Sequence, residues 1–136
     1  PLGPPLLMRS QAAALDPQSQ CERYTAETYE RMRDDVVRTS AYERAIRAAA
    51  PGRVCLDIGT GAMALLAVMA AKAGASHVYA VEANGAAFAA AQRAVEAEGV
   101  ADRVTLLHGY STSIGALPRR VDLLLHEILG EVAGYE

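Results

Sequence analysis

The sequence has no tryptophan, one phenylalanine and two cysteines in 136 residues. Without large rings, a core must be filled by the alanine, valine and leucine in which the chain is rich. Apolar residues make up 51% of it, as expected where helices pack closely on a parallel sheet. Cys21 and Cys55 are isolated, so they form neither a metal pattern nor a disulfide framework. A reducing compartment, cytoplasmic or nuclear, is the simpler expectation. The three histidines, at 77, 108 and 126, lack ligand spacing, so no metal site is expected. No apolar run reaches ~18 residues free of charge, so no membrane span is expected. Basic residues are not in excess: 13 stand against 16 acidic ones, for a net charge of −3. No basic field points to direct contact with nucleic acid or anionic membrane, whereas a mildly acidic surface suits a cationic protein partner. The chain does not begin with methionine, so the lack of a signal peptide carries little weight. The length allows one domain with one core.

What is present is alternation. Residues 1–19, rich in Pro, Ala, Gln and Ser, read as a flexible lead-in, and 20–136 as one ligand-binding domain. A charged helix is expected over about 22–39, with Tyr29, Met32, Val36 and Val37 forming an apolar stripe. A second helix covers about 41–50, with Tyr42, Ala45, Ile46 and Ala49 inward and Glu43 spaced to pair with Arg47. Pro51-Gly52 stops it. Strands are expected at 53–58, 77–82, 103–108 and 121–126. Helices at 62–73 and 85–98 separate the first three, closed by Gly74 and Gly99. Residues 109–120 read as a loop. Strands separated by helices give right-handed βαβ units: an α/β fold, Rossmann-like, with a partial parallel sheet and flanking helices.

The most informative stretch is Val54-Cys55-Leu56-Asp57-Ile58-Gly59-Thr60-Gly61. An apolar strand ends on an acid and breaks into a glycine turn ahead of a helix, which makes a nucleotide-shaped pocket at the carboxyl edge of a sheet. Gly59 and Gly61 let a ligand lie against the main chain. Glu82 closes the second strand 23 residues after Gly59 (82 − 59), where an acid can accept from both ribose hydroxyls of an adenosine. These features alone admit a dinucleotide or S-adenosyl-L-methionine. Asp57 discriminates: a pyrophosphate is repelled by a neighbouring carboxylate, whereas an ammonium and a sulfonium are attracted.

Four further groups are weighed against plainer roles. Arg38 could clamp a ligand carboxylate bidentately, although from chemistry alone a surface arginine near a helix end is the simpler account. Glu127 and Glu136 flank a nine-residue loop (136 − 127) after the last strand. Two carboxylates aimed at one point need a cation between them, and a guanidinium is planar, permanently charged and rich in donors. The plain alternative is two unrelated surface glutamates, and Glu131 between them could be the one that points inward. Ser111 and Thr112 follow the third strand, where an adenine amino group could be read, or where they simply cap a loop. The histidines at strand ends read as structural.

Taken together, these segments resemble the protein arginine N-methyltransferases, class I S-adenosylmethionine-dependent enzymes. The stretch Tyr29-Glu-Arg-Met32-Arg-Asp-Asp35-Val-Val37-Arg38-Thr39 is similar to the family's cofactor-closing helix. The glycine turn, followed by Leu65-Leu66 and Ala70-Ala71-Lys72-Ala73-Gly74, is similar to its first cofactor motif, and Val78-Tyr-Ala-Val81-Glu82 to its ribose strand. Val121-Asp-Leu-Leu-Leu-His-Glu127 through Tyr135-Glu136 is similar to its double-glutamate loop. The resemblance covers residues 24 to 136. It implies transfer of a methyl group from S-adenosyl-L-methionine to a guanidinium nitrogen of a protein arginine. Under it, Tyr29 and Met32 pack on the cofactor and Arg38 holds its carboxylate. Asp57, Gly59, Thr60 and Gly61 bed its methionine portion, Glu82 binds ribose, Ser111 and Thr112 lie near adenine, and Glu127 and Glu136 grip the arginine. It also implies a homodimeric full-length enzyme with a β-barrel that these residues do not contain, so little activity is expected of them alone.

Three positions depart from the family pattern. Met63 stands where a third glycine is usual, Tyr29 where several members have histidine, and Thr112 where a glutamate is common. Other readings stay open: a different S-adenosylmethionine-dependent methyltransferase, a non-catalytic cofactor-binding remnant and, further off, a dehydrogenase.

Overall fold

The computed structural model describes residues 24–128. The expected lead-in, Cys21, the start of the first expected helix, and the segment carrying Glu131 and Glu136 lie outside the described residues. The elements are α1 (Ala26–Asp34), α2 (Val36–Ala49), β1 (Val54–Ile58), α3 (Leu65–Lys72), β2 (His77–Glu82), α4 (Gly85–Ala97), β3 (Val104–His108) and β4 (Leu123–His126). The strands form one sheet in the order β3-β2-β1-β4. All three pairings are parallel, so the βαβ expectation holds.

Small side chains set how closely the layers approach. Ala67, Ala70, Ala71 and Ala91 of α3 and α4 are fully buried with Cys55, Val78 and Ala80 of the sheet. Alanines let helix and sheet backbones come together without large rings, which explains why a chain so poor in aromatics forms this core. Ile46 and Ala50 bring α2 into the same cluster. At the amino edge of the sheet, Asp122 fastens β4 to β1 twice. Its amide donates to the Val54 carbonyl and its carboxylate accepts from the Val54 amide, at 2.8 and 3.0 Å.

The structure corrects several boundaries. The expected helix over 22–39 is broken at Asp35, and the following helix runs unbroken through 36–49. Asp35 ends α1 with extended backbone and caps α2, its side chain accepting from the Arg38 amide at 3.0 Å. A side chain that satisfies the first free amides of a helix favours starting one there. The apolar stripe fails with the break: Val36 and Val37 are 73% and 83% exposed, and only Tyr29 and Met32 are partly covered. Ala45 is exposed too, leaving Ile46 as the buried anchor of α2, while the Glu43–Arg47 pair forms as spaced. Helix α3 starts at Leu65, because 61–64 make a turn in which Ala64 takes a left-handed φ of 45°. Strand β4 is shorter than expected and less buried, with Leu125 inside and Leu124 half exposed.

Asp35→Ala removes the cap between α1 and α2. A loss of about 1 kcal/mol in urea unfolding is expected, with an unchanged m value. An unchanged midpoint would mean that packing alone fixes the break.

Candidate functional site

The carboxyl ends of β1 and β2 converge on the glycine turn. Gly59 and Thr60 amides both donate to the Val81 carbonyl at 3.0 Å, which ties the turn to β2. Gly59 and Gly61 have φ of 71° and 70°, a region that side chains disfavour. Both are also covered. A Cβ on Gly61 would lie 2.5 Å from Cε1 of Tyr29, and one on Gly59 would lie 2.8 Å from Cγ2 of Ile128. Helix α1 therefore lies across the turn, and the exit of β4 closes over its other end.

Glu82 is nearly fully buried at the end of β2. One carboxylate oxygen accepts from the Gly61 amide and the other from the Asn84 amide, each at 2.8 Å. Asn84 in turn caps α4, accepting from the Ala87 amide at 2.9 Å. A lone pair remains on each oxygen for further donors. Asn84 was not singled out in the sequence, although an Asn directly before a Gly-Ala-Ala run is a helix-start signal.

Asp57 does not face open space. It is 1% exposed, accepts from the Thr60 hydroxyl at 2.6 Å, and is bonded by the Ala67 backbone. Burial pushes its pKa up to about 6. The bonds from Thr60 and Ala67 oppose that rise, and the nearby Glu82 charge adds to it. The side chain is thus an internal brace between the turn and α3.

Arg38 and Glu127, read from the sequence as grips for two different ligands, meet each other. Nε and Nη2 of Arg38 donate to the two carboxylate oxygens of Glu127, a bidentate pair spanning 89 residues of sequence. Nη1 donates to the Met32 carbonyl at 2.9 Å. The guanidinium carbon sits 5.3 Å from the centre of the Tyr42 ring, within cation–π range. Arg38 therefore closes the carboxyl end of α1, where carbonyls lack helical partners, and fastens α1 and α2 to β4. Tyr42 was assigned only to the core from sequence, and its i, i+4 spacing from Arg38 is the signal that could have found it. Thr39 donates to the Arg33 carbonyl at 3.0 Å, reinforcing the same joint.

Ser111 and Thr112 are exposed, in a turn where the Tyr110 carbonyl accepts from the amide and hydroxyl of Ser113. They sit just past β3 on the same sheet edge, because the Gly109 amide donates to the Glu82 carbonyl at 2.9 Å. Two of the histidines pack structurally: His77 bonds Thr105 at 2.9 Å, and His108 stacks on Phe88, whereas the buried Nδ1 of His126 at the end of β4 has no hydrogen-bond partner among the described residues. Glu136 lies outside the described residues, so its relation to Glu127 is not described.

A parallel sheet whose first strand ends on a glycine turn, and whose second ends on the acid that holds that turn, is a nucleotide-binding α/β arrangement, and its solved structural relatives make it a class I S-adenosylmethionine-dependent methyltransferase fold. Comparisons with known proteins agree. The family model of ribosomal protein L11 methyltransferase (PrmA) matches residues 39–133, and the chain belongs to the methyltransferases which that model describes. The histone-arginine methyltransferase CARMER of Anopheles gambiae is 40% identical over 102 residues, 73% of this chain and 16% of that protein. The crystal structure of protein arginine methyltransferase 10 of Arabidopsis thaliana superposes with a TM-score of 0.73 at 34% identity, covering 81% of this chain and 32% of that one. The Trypanosoma brucei PRMT1 enzyme-prozyme heterotetramer, a complex with AdoHcy, gives 0.69 at 30% identity, over 75% and 32%. Within the class, the chain is a member of the protein arginine N-methyltransferase family. It spans a third or less of the length of each of these three relatives.

The raised pKa of Asp57 has a signed consequence. Between an unfolded value near 3.8 and a folded value of about 6, the folded state holds more protons than the unfolded one. Stability therefore falls as pH rises through that window, by about 3 kcal/mol in all. The melting temperature of the protein minus that of Asp57→Asn should decrease between about pH 3.8 and about pH 6 and flatten above. A difference that does not vary with pH would show that Asp57 ionises in the folded state as it does in the unfolded chain.

Proposed function

We propose that this chain is the cofactor-binding part of an arginine methyltransferase. It uses S-adenosyl-L-methionine as methyl donor and a guanidinium nitrogen of a protein-bound arginine as acceptor, within a longer protein. The observation that supports the reading is the bidentate Arg38–Glu127 pair at the carboxyl edge of the sheet, in which the Glu127 carboxylate takes a planar guanidinium, that of the chain's own arginine.

The residues present fit the cofactor. Glu82 keeps free lone pairs for ribose hydroxyls next to the Gly61 main chain. Tyr29 already lies on Gly61 where Cβ is missing, so it and Met32 can cover the ligand from α1. Gly59, Thr60 and Gly61 would let its methionine portion approach the main chain where Tyr29 and Ile128 now cover the glycines, with Asp57 supporting the turn from beneath. Arg38 would bring charge to its carboxylate, and Ser111 and Thr112, just past β3, would lie near its adenine. When bound, the cofactor supplies an electrophilic sulfonium methyl.

This chain's own residues supply orientation and charge. Glu127, with Glu136, would fix the plane of the substrate guanidinium and draw its positive charge toward the carboxylates, leaving the distal nitrogen richer in electron density. A guanidinium is too weak an acid for a carboxylate to deprotonate beforehand, so its proton leaves with or after methyl transfer. Catalysis of this kind is mainly positioning and electrostatics. The acceptor is a protein arginine, and the longer protein works as a homodimer in the cytoplasm or nucleus. Among the described residues, no helix is long and apolar enough to cross a membrane.

Calorimetry of the chain with S-adenosylmethionine beside NAD tests the reading. S-adenosylmethionine should bind and NAD should not. Glu82→Ala should reduce cofactor affinity at least tenfold and, because it unpairs the Gly61 and Asn84 amides, lower the melting temperature as well. Binding of NAD alone, or undiminished affinity in Glu82→Ala, would overturn the assignment.

A further inference from the structure

The sheet has a second face. Val78, Ala80 and Val104 belong to the core with α3 and α4, so the alternate residues His77 and Tyr79 of β2, and Thr105 and Leu107 of β3, lie on the side away from those helices. The connection from β3 to β4 forms no helix, and its residues 114–118 close a cavity of about 290 Å³ against these four side chains. The lining is chiefly apolar. Its polar wall is made where His77 Nε2 and Thr105 Oγ1 lie 2.9 Å apart. The rings of His77 and Tyr79 meet edge to face with centroids 4.7 Å apart, and Tyr79 is only 4% exposed, which makes the floor rigid.

The charge at this cavity has one sign. Arg119 directly follows the closing segment, and its Nη2 donates to the neutral Ser76 hydroxyl at 3.2 Å, one residue before His77. Among the described residues Arg119 forms no ion pair. Its charge reaches the cavity wall: burial holds the His77 imidazole below its ordinary value, and Arg119 lowers it further. The wall is therefore neutral near pH 7, and the arginine is the cation at the rim. His77 opens β2 and Glu82 ends it, so this rim lies about 16 Å along the strand from the acid that holds the glycine turn.

We propose that the cavity is a second ligand site, separate from the cofactor edge, for a small carboxylic acid with an aromatic or branched apolar body. The inference goes beyond the function proposed above and does not rest on it. Size sets the class of ligand: cavities for drug-sized molecules begin near about 300 Å³, so this one takes a single ring or branched group with a short chain. The apolar body lies against Tyr79 and Leu107, and the carboxylate meets Arg119 at the rim. Charge sets the sign: an acid gains charge-assisted hydrogen bonds from the guanidinium, a neutral molecule of the same shape gains only burial, and a cation is repelled.

The test follows amide resonances of the full chain during titration with phenylpropionate, neutral phenylpropanol and cationic phenylpropylamine. The acid should shift the amides of Tyr79, Thr105, Leu107 and Leu117 saturably and bind about fivefold or more tightly than the alcohol, with the amine weakest. In Arg119→Gln the acid should fall to within about twofold of the alcohol, whose own affinity stays as it was. Thr105→Phe, which puts a ring on the cavity floor, should abolish binding of both. Its melting temperature shows whether it folds, and Arg119→Gln decides the matter if it does not. Saturable shifts at the glycine turn instead, equal affinity for acid and alcohol, an undiminished preference in Arg119→Gln, or no saturable binding of the acid overturns the proposal.

Discussion

A single buried carboxylate holds the site together. Glu82 ends β2, and its two oxygens take the amide of the glycine turn on one side and the amide that opens α4 on the other. An ionised carboxylate out of water is costly unless hydrogen bonds surround it, and main-chain amides are the donors least able to drift away. The same carboxylate therefore stabilises the turn and stands ready to accept from a ligand. Removing its side chain would leave two inward-facing amides unpaired, a larger penalty than the loss of one contact. The turn, the start of α4 and the approach to β3 through Gly109 all take their positions from this strand end.

The second constraint ties the outer helices to that frame. Helices α1 and α2 have little apolar material to bind them: α1 buries no residue and α2 only Ile46. What fastens them is polar. Asp35 caps the break, Arg38 closes the end of α1 and pairs with Glu127, and Thr39 bonds back to Arg33. Surface ion pairs are worth little, but this one is bidentate, stacked and mostly covered, which places it among the stronger kind. A cover held by polar contacts over an apolar floor can be reorganised by a charged ligand at small cost, whereas α3 and α4, packed through alanines, cannot.

Much of the frame was legible in the sequence. Strand β2 falls at 77–82 as read, because an apolar run between Ser76 and Asn84 has no other good interpretation. The glycine turn and Glu82 come together at the sheet edge because their spacing is that of one βαβ unit. The break at Asp35 was not legible: Val36 and Val37 continue a helical spacing from Tyr29 and Met32, and nothing local says that an aspartate will cap rather than sit on a helix. The Arg38–Glu127 pair was invisible for a different reason. Each partner was recognised by its own chemistry, and only the closing of α2 against β4, across 89 residues, shows that they satisfy one another. Asp57 was expected to serve a ligand; its burial and its bond from Thr60 make it a brace instead, a distinction that depends on which way a strand-end side chain faces.

The start of α3 carries the one left-handed non-glycine residue among the described residues. With Met63 where a third glycine is usual, the left-handed residue is Ala64, at φ 45° and completely buried. Left-handed backbone costs an alanine about 1 kcal/mol. The surroundings hold it there: its amide bonds the Gly61 carbonyl at 3.1 Å, and its carbonyl takes the Val68 amide at 2.8 Å. The strain thus sits between the turn that faces the ligand and the helix that Asp57 braces through Ala67. Strain of this size persists where neighbouring contacts over-determine the backbone. Glu82 holds the turn on one side of this step through the Gly61 amide, and the Val68 amide holds the helix on the other, so Met63 and Ala64 lie between two anchored segments.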